Sequence, residues 1–234
     1  MFSATISSDV YDIAKHYMNN PQRIKVQSYV EENLLTQYYY NIESRDKFSL
    51  LVCLLKKEYK GLKIIFCATR DRVDQLSRNL YKQGIQSQRL HGGLSQNKRK
   101  DAIQMFHNKK TDILVASDVA ARGLDIKNVS HIINYDIPKT SKEYIHRIGR
   151  TARAGSEGKV ISLISPQDHD NFRRILQDPL IKVAHLKTPE FERLPFLHQH
   201  RRMFDNRNYH KNTSHHYHHK VNNRKNWHQK HISK

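Results

Sequence analysis

The sequence predicts an α/β domain in which a parallel sheet is covered by helices on both faces. Three observations predict it. Short, wholly apolar runs recur along the chain, as expected of strands buried on both faces. Apolar stripes at helical spacing lie between those runs. Strands that alternate with single helices imply crossover connections, and so a parallel, doubly wound sheet.

The strand candidates are Ile64-Ile65-Phe66-Cys67, Gln88-Arg89-Leu90, Ile113-Leu114-Val115-Ala116, Ile132-Ile133 and Val160-Ile161-Ser162-Leu163-Ile164. Phe48, Leu51, Val52 and Leu55 form the first helical stripe, after a Ser44 cap. Val73, Leu76 and Leu80 form a second, which Gly84 is placed to stop. Ala102, Met105 and Phe106 follow Ser95, which suits a cap. Thr140 with Glu143 matches a capping box. Ser165-Pro166 sets a cap before a first-turn proline.

The flanks differ from this pattern. Residues 1–26 begin with a strand end at Phe2-Ser3-Ala4-Thr5, and a helix carrying Val10, Ile13, Ala14 and Tyr17 follows. Residues 27–37 are polar and suit a linker. The main domain is assigned to residues 38–185. From residue 186 onward the sequence turns basic and rich in His and Asn, with few apolar residues to offset ordering entropy, which predicts a disordered tail.

Lys and Arg total 41 of 234 residues against 22 Asp and Glu, a formal net charge of +19. That excess favours a polyanionic partner, because each neutralised phosphate releases counterions. Cys53 and Cys67 both lie in apolar runs, so neither a disulfide nor a zinc framework is implied. No apolar run approaches the roughly 20 residues of a membrane span, and no signal peptide opens the chain. The expected setting is intracellular, the cytoplasm first and a nucleus or nucleolus second.

In an open parallel sheet, ligands bind beyond the carboxyl ends of the strands. The polar segments there are Ala68-Thr69-Arg70, His91-Gly92-Gly93 and Ser117-Asp118. Thr69 and Ser117 offer hydroxyls, Arg70 and Arg99 offer charge, and the Gly pair lets backbone N–H groups approach a phosphate. Singly, Thr69 and Ser95 are explained as caps and Arg70 as a solvated charge. Three such segments on one edge favour a phosphodiester track. The richest stretch, Tyr144 to Gly155, sets Arg147, Arg150 and Arg153 at three-residue spacing between glycines. Such a cluster is costly without an anion or a carboxylate, and Asp125 is near in sequence.

In order, these segments resemble the DEAD-box family of superfamily 2 RNA helicases. Ser3-Ala4-Thr5 is similar to the motif that closes the family's first RecA-like domain. Residues 64–70, the stretch from His91 to Arg99, residues 116–126 and residues 133–138 resemble successive motifs of the second. His146-Arg147-Ile148-Gly149-Arg150-Thr151-Ala152-Arg153-Ala154-Gly155 resembles the last. The resemblance implies a RecA-like fold that closes on ATP and RNA against a first domain. It implies that Arg150 and Arg153 are arginine fingers, worth roughly 10³–10⁵ in rate. In the ATP site, Asp125 would bind the ribose and Gly123 would shape that turn. Thr69, Arg70, Gly92, Gln96, Arg99 and Ser117 would hold the RNA backbone. Ser3, Thr5, His146 and Arg147 would meet across the interdomain cleft. Ser117 stands where many relatives have Thr, Gly93 where Asp is common, and Ala152 where Gly is usual.

No GxxxxGK[ST] loop and no Asp-Glu-Ala-Asp sequence occurs in the chain. ATP and Mg²⁺ are therefore expected to be held mainly by the missing first domain, and the chain alone is expected to be inactive. A fragment, a truncated gene and a short protein that binds RNA without catalysis all fit. The start inside the first-domain motif favours truncation. No metal site is expected, since His215, His216, His218 and His219 lack a fixed framework. The tail's arginines and lysines, with Tyr209, Tyr217 and Trp227, suit non-specific RNA affinity.

Overall fold

The computed structural model describes residues 8–19, 34–57, 61–121, 126, 129–152, 156–179 and 181–198. The strands are β1 (Leu35–Asn41), β2 (Leu62–Cys67), β3 (Gln88–Leu90), β4 (Ile113–Ser117), β5 (Val129–Asn134), β6 (Gly158–Ile164) and β7 (Ala184–His185). They form one sheet in the order β3-β4-β2-β5-β6-β1-β7. Every neighbouring pair is parallel. The helices are α1 (Ser8–Tyr17), α2 (Lys47–Lys56), α3 (Arg70–Lys82), α4 (Gln96–His107), α5 (Asp118–Ala121), α6 (Ser141–Ile148) and α7 (His169–Leu176). A 3-10 turn at Pro166–Asp168 leads into α7. The parallel α/β expectation is met.

The apolar strand runs have a direct cause. Every residue of β2 and β4 is buried, and their side chains alternate between two cores. Ile64 and Phe66 join Phe106, Tyr144, Phe172 and Ile175 on one face. Ile65 and Cys67 join Phe48, Leu51, Val73, Leu76 and Leu80 on the other. A strand that feeds two cores has no polar face to show.

Most of the caps form. Thr69 Oγ1 accepts from Arg72 N at 3.1 Å, and Ser95 Oγ accepts from Lys98 N at 3.5 Å. Gly84 takes φ +76 just after α3, a left-handed conformation that suits glycine. Thr140 Oγ1 accepts from Glu143 N, but the Glu143 carboxylate accepts from Lys139 N rather than from Thr140. Ser44 does not cap α2. A turn intervenes, Asp46 holds the cap position, and Ser44 Oγ donates to Gln167 Oε1. The start of α2 is fixed instead by buried Lys47, which donates to Asp168 Oδ2 at 2.6 Å and to Tyr135 O at 2.9 Å.

Three local readings change. β1 begins at Leu35, so the last three residues of the linker stretch are strand. Its aromatic run, Tyr38-Tyr39-Tyr40, pairs with β6 and belongs to the sheet. α1 forms as expected, yet Ile13 and Tyr17 on its apolar stripe are exposed.

The largest change concerns residues 186–197, for which composition predicts disorder. They run as an extended strap across α2 and α3. Leu186 N donates to Tyr39 O at 2.9 Å, and Leu194 N to Ser49 Oγ at 2.9 Å. Arg193 pairs with Asp46 at 3.1 Å. Asn79 bonds both the N–H and the carbonyl of Leu197. Leu186, Phe191, Leu194 and Phe196 pack on the second core, with the Phe196 ring 5.3 Å from Phe48. Four spaced apolar side chains suffice because the helices present a ready groove. Residues 1–197 form one unit and residues 198–234 a second, of which only His198 is described.

Candidate nucleic-acid and nucleotide interface

The sheet order brings the three polar segments to adjacent strand ends, since β3, β4 and β2 are neighbours. After β2, Thr69 and Arg70 are exposed at the start of α3. The Thr69 cap uses an oxygen lone pair, so its hydroxyl proton stays available to an anion. After β3, Gly92 and Gly93 are exposed and lead through Ser95 into α4. Gln96 is exposed in the first turn of α4, and its Oε1 accepts from the Arg99 guanidinium at 3.4 Å. Ser117, the last residue of β4, is 8% exposed and in register with Cys67.

The segments touch one another. A Cβ built on Gly93 would lie 3.1 Å from His91 Nδ1 and 3.7 Å from Arg70 Cδ. Glycine lets the loop after β3 close on the first turn of α3. Gly93 N–H donates to His91 Nδ1 at 3.2 Å, so the amide expected to meet a phosphate is already engaged within the loop.

The arginine-rich segment divides by burial. Arg147, 2% exposed, is a structural brace. Its Nε and an Nη atom pair with the two oxygens of Asp118 at 2.6 and 2.8 Å. Its other Nη donates to Asn134 Oδ1 at 2.9 Å and to Asp136 O at 2.7 Å. The guanidinium lies 4.9 Å from the Phe66 ring centroid, in cation–π contact. Every one of these partners lies within the domain. The interdomain contact expected of Arg147 meets a different geometry, in which its donors tie α6 to the ends of β4 and β5. An enclosed guanidinium needs a fixed carboxylate, and Asp118 supplies it at bidentate distance.

Arg150, one turn on, is half-buried and lines a surface pocket with His146, Glu143, Asp118, Ala121, Arg147 and Phe66. Asp118 is engaged by Arg147 at the back of that pocket. The donor set of Arg150 and His146 suits phosphate charge. Ala152, just beyond, takes φ +51, the left-handed region that glycine prefers. Ser3, Thr5, Gly123, Asp125 and Arg153 lie outside the described residues, so their expected roles are not located.

Sequence reasoning assigned no role to Asp118, Asn134, Asp136 or Asp74. Asp118 was the most accessible of these, since it directly follows Ser117 in a segment already singled out. Burial shapes the titration here too. It pushes the Cys67 thiol well above its ordinary value, with Asp136 adding to the effect. It also pushes the Tyr144 phenol up.

The parallel sheet in the order β3-β4-β2-β5-β6-β1-β7, with helices around it, is a RecA-like α/β fold. Residues 46–155 match the helicase conserved C-terminal domain. The chain is 38% identical over 193 residues to the DEAD-box ATP-dependent RNA helicase CshA of Bacillus licheniformis, covering 82% of this chain and 40% of that protein. The Bacillus subtilis CshA is 37% identical over the same length. Among solved structures, Escherichia coli DEAD-box protein SrmB bound to RraA is 39% identical with a TM-score of 0.63, over 65% of this chain and 91% of that one. Saccharomyces cerevisiae Dbp5 bound to RNA and ADP BeF3 is 30% identical with a TM-score of 0.71, over 80% and 50%. The chain belongs to the DEAD-box RNA helicase family, as its C-terminal RecA-like domain. It spans about 40% of the length of the CshA helicases it matches.

Proposed function

We propose that the chain is the second-domain half of an ATP-dependent RNA helicase. It grips the RNA backbone along the carboxyl edge and presents Arg150 and Arg153 to a nucleotide on a partner lobe. The observation that carries this reading is the convergence of Thr69, Arg70, Gly92, Gln96, Arg99 and Ser117 onto three adjacent strand ends. The Dbp5 structure with RNA and a nucleotide, matched at a TM-score of 0.71, supports it.

Bound ATP supplies the phosphoanhydride whose cleavage resets the cycle, with Mg²⁺ held mainly on the first domain. The chain's own residues do the rest. Arg150 stabilises phosphate charge from the α6 end, and His146 faces the first domain beside it. Asp125 is assigned to the ATP ribose, Gly123 to the turn that carries it, and Ser3 and Thr5 to the opposite side of the cleft. Arg147 acts by holding α6 in place. Closing the cleft bends the bound strand so that a duplex no longer fits, and reopening releases it. Backbone contacts carry no base information, so sequence specificity is low. The exposed stripe of α1 supports reading residues 1–26 as part of the first domain. We place the work in the cytoplasm.

Anisotropy titration of a short single-stranded RNA tests the edge. Arg70→Ala with Arg99→Ala should weaken binding and lower the salt slope, by about 0.7 for each phosphate no longer neutralised. Unchanged affinity and slope would count against the reading. The chain alone should not turn over ATP above an Arg150→Ala, Arg153→Ala control.

A further inference from the structure

Resting on that RNA-binding reading, we propose that Asp74 is a positioning residue for the backbone site. It acts by holding His91 in one tautomer and, through it, the loop at residues 91–93. Asp74 Oδ1 lies 3.2 Å from His91 Nε2 and accepts from an Arg89 Nη at 2.8 Å. On the far side of the ring, His91 Nδ1 accepts from Gly93 N–H at 3.2 Å.

The proton placement follows from the partners. A backbone N–H can only donate, so Nδ1 presents its lone pair. The ring proton then sits on Nε2 and points at the Asp74 carboxylate. The His91 side chain is 6% exposed, while the Asp74 side chain is 27% exposed. The imidazole is therefore a buried link between α3 and the loop backbone. Without the carboxylate, Nε2–H has no acceptor there, and the alternative tautomer, with a proton on Nδ1, sets two donors against each other at Gly93.

The same helix touches the loop twice. Arg70 and Asp74 are four residues apart and share one face of α3. Arg70 Cδ passes within 3.7 Å of the place a Gly93 Cβ would occupy. His91 thus sets where Gly92 and Gly93 sit against Arg70, which is assigned to the RNA backbone. Gln96 and Arg99 on α4 follow that loop directly. Arg89, 45% exposed, shares the Asp74 carboxylate from the solvent side.

The full chain serves for the test. Long-range ¹H–¹⁵N spectra at pH 8, with the His91 signal identified by its loss in His91→Gln, should show the Nε2–H form in wild type. Asp74→Ala should move that signal toward a tautomer mixture and weaken single-stranded RNA binding by about 3- to 10-fold. Asp74→Asn keeps an oxygen acceptor and should recover most of both. Arg89→Met spares the ring and should change affinity by less than about 2-fold. A wild-type tautomer and affinity in Asp74→Ala would overturn the proposal. So would an Arg89→Met loss as large as that of Asp74→Ala, which would mark a general charge effect. If Arg70→Ala with Arg99→Ala bound RNA as wild type does, the RNA-binding reading would fall instead, and the tautomer shift alone would then decide the link from Asp74 to the loop.

Discussion

The two ends of the same strands treat charge in opposite ways. At the carboxyl end, Arg147 is enclosed and paired with both oxygens of Asp118, with Asn134 and the Asp136 carbonyl accepting from its other Nη. At the amino end, Lys63, His131 and Lys159 stand in register across β2, β5 and β6. Of these three basic groups, the buried imidazole is the one most readily left neutral. Burial, then the nearby Lys159 and Lys63, hold the His131 imidazole down to about 4. Its Nδ1 lies 2.8 Å from Ser130 Oγ. Burial likewise lowers the Lys63 ammonium, against the pull of Asp112. One end uses carboxylates to fix charges that matter to the site. The other favours a neutral imidazole by burying it between two lysines.

Removing the brace should have the largest effect. Arg147→Ala strands Asp118 and Asn134, and unfolding by urea should show a loss of about 3 kcal/mol, near the low end for a broken buried pair because Asp118 is partly exposed. Arg150→Ala, one turn away, should stay within about 0.5 kcal/mol of wild type. Equal losses for the two would erase the distinction between brace and finger.

A smaller effect tests the amino end. The folded imidazole of His131 titrates below its ordinary 6.5, so the unfolded chain takes up the proton first as pH falls. Its contribution is complete above about pH 6.5 and is lost toward pH 4. After allowance for solvent screening, that loss is on the order of 1–2 kcal/mol. His131→Gln should flatten the stability profile in that window relative to wild type. A parallel profile would contradict the assignment.

The smallest effect lies at the turn after α6. Ala152 occupies a left-handed conformation. Ala152→Gly relieves that strain and should raise stability by about 0.5–1 kcal/mol, net of glycine's greater unfolded entropy. A loss of stability would mean that the methyl group's burial outweighs the strain.

Much of this was legible in the sequence, for physical reasons that also mark its limits. β2, β4, β5 and β6 announce themselves because strands buried on both faces are dominated by apolar residues. Thr69, Ser95, Thr140 and Gly84 show the helix ends because caps and left-handed turns demand particular residues. β1 was hidden because only Tyr40 in it is fully buried and Thr36 and Gln37 interrupt the pattern, so no apolar run marks it. The strap at residues 186–197 was hidden because its few apolar residues have no period of their own and follow a groove made by α2 and α3. At the site, residue types identified the edge, but not which polar groups are already engaged. Arg147 and Arg150 look alike in sequence, and only the fold shows Asp118 beneath one of them. The carboxylate that sequence proximity suggested was Asp125. The link from Asp74 to His91 joins residues 17 positions apart, and no local pattern carries it.

The role proposed for this domain is to complete a nucleotide site on a partner lobe. Its most direct test fuses the chain, from its linker onward, behind the first RecA-like domain of Bacillus subtilis CshA and measures RNA-stimulated ATP turnover. Turnover is expected in the fusion, with a fall of about 10³-fold or more in Arg150→Ala at unchanged folding stability. A folded fusion without RNA-stimulated turnover, or an Arg150→Ala fusion as fast as its parent, would contradict it.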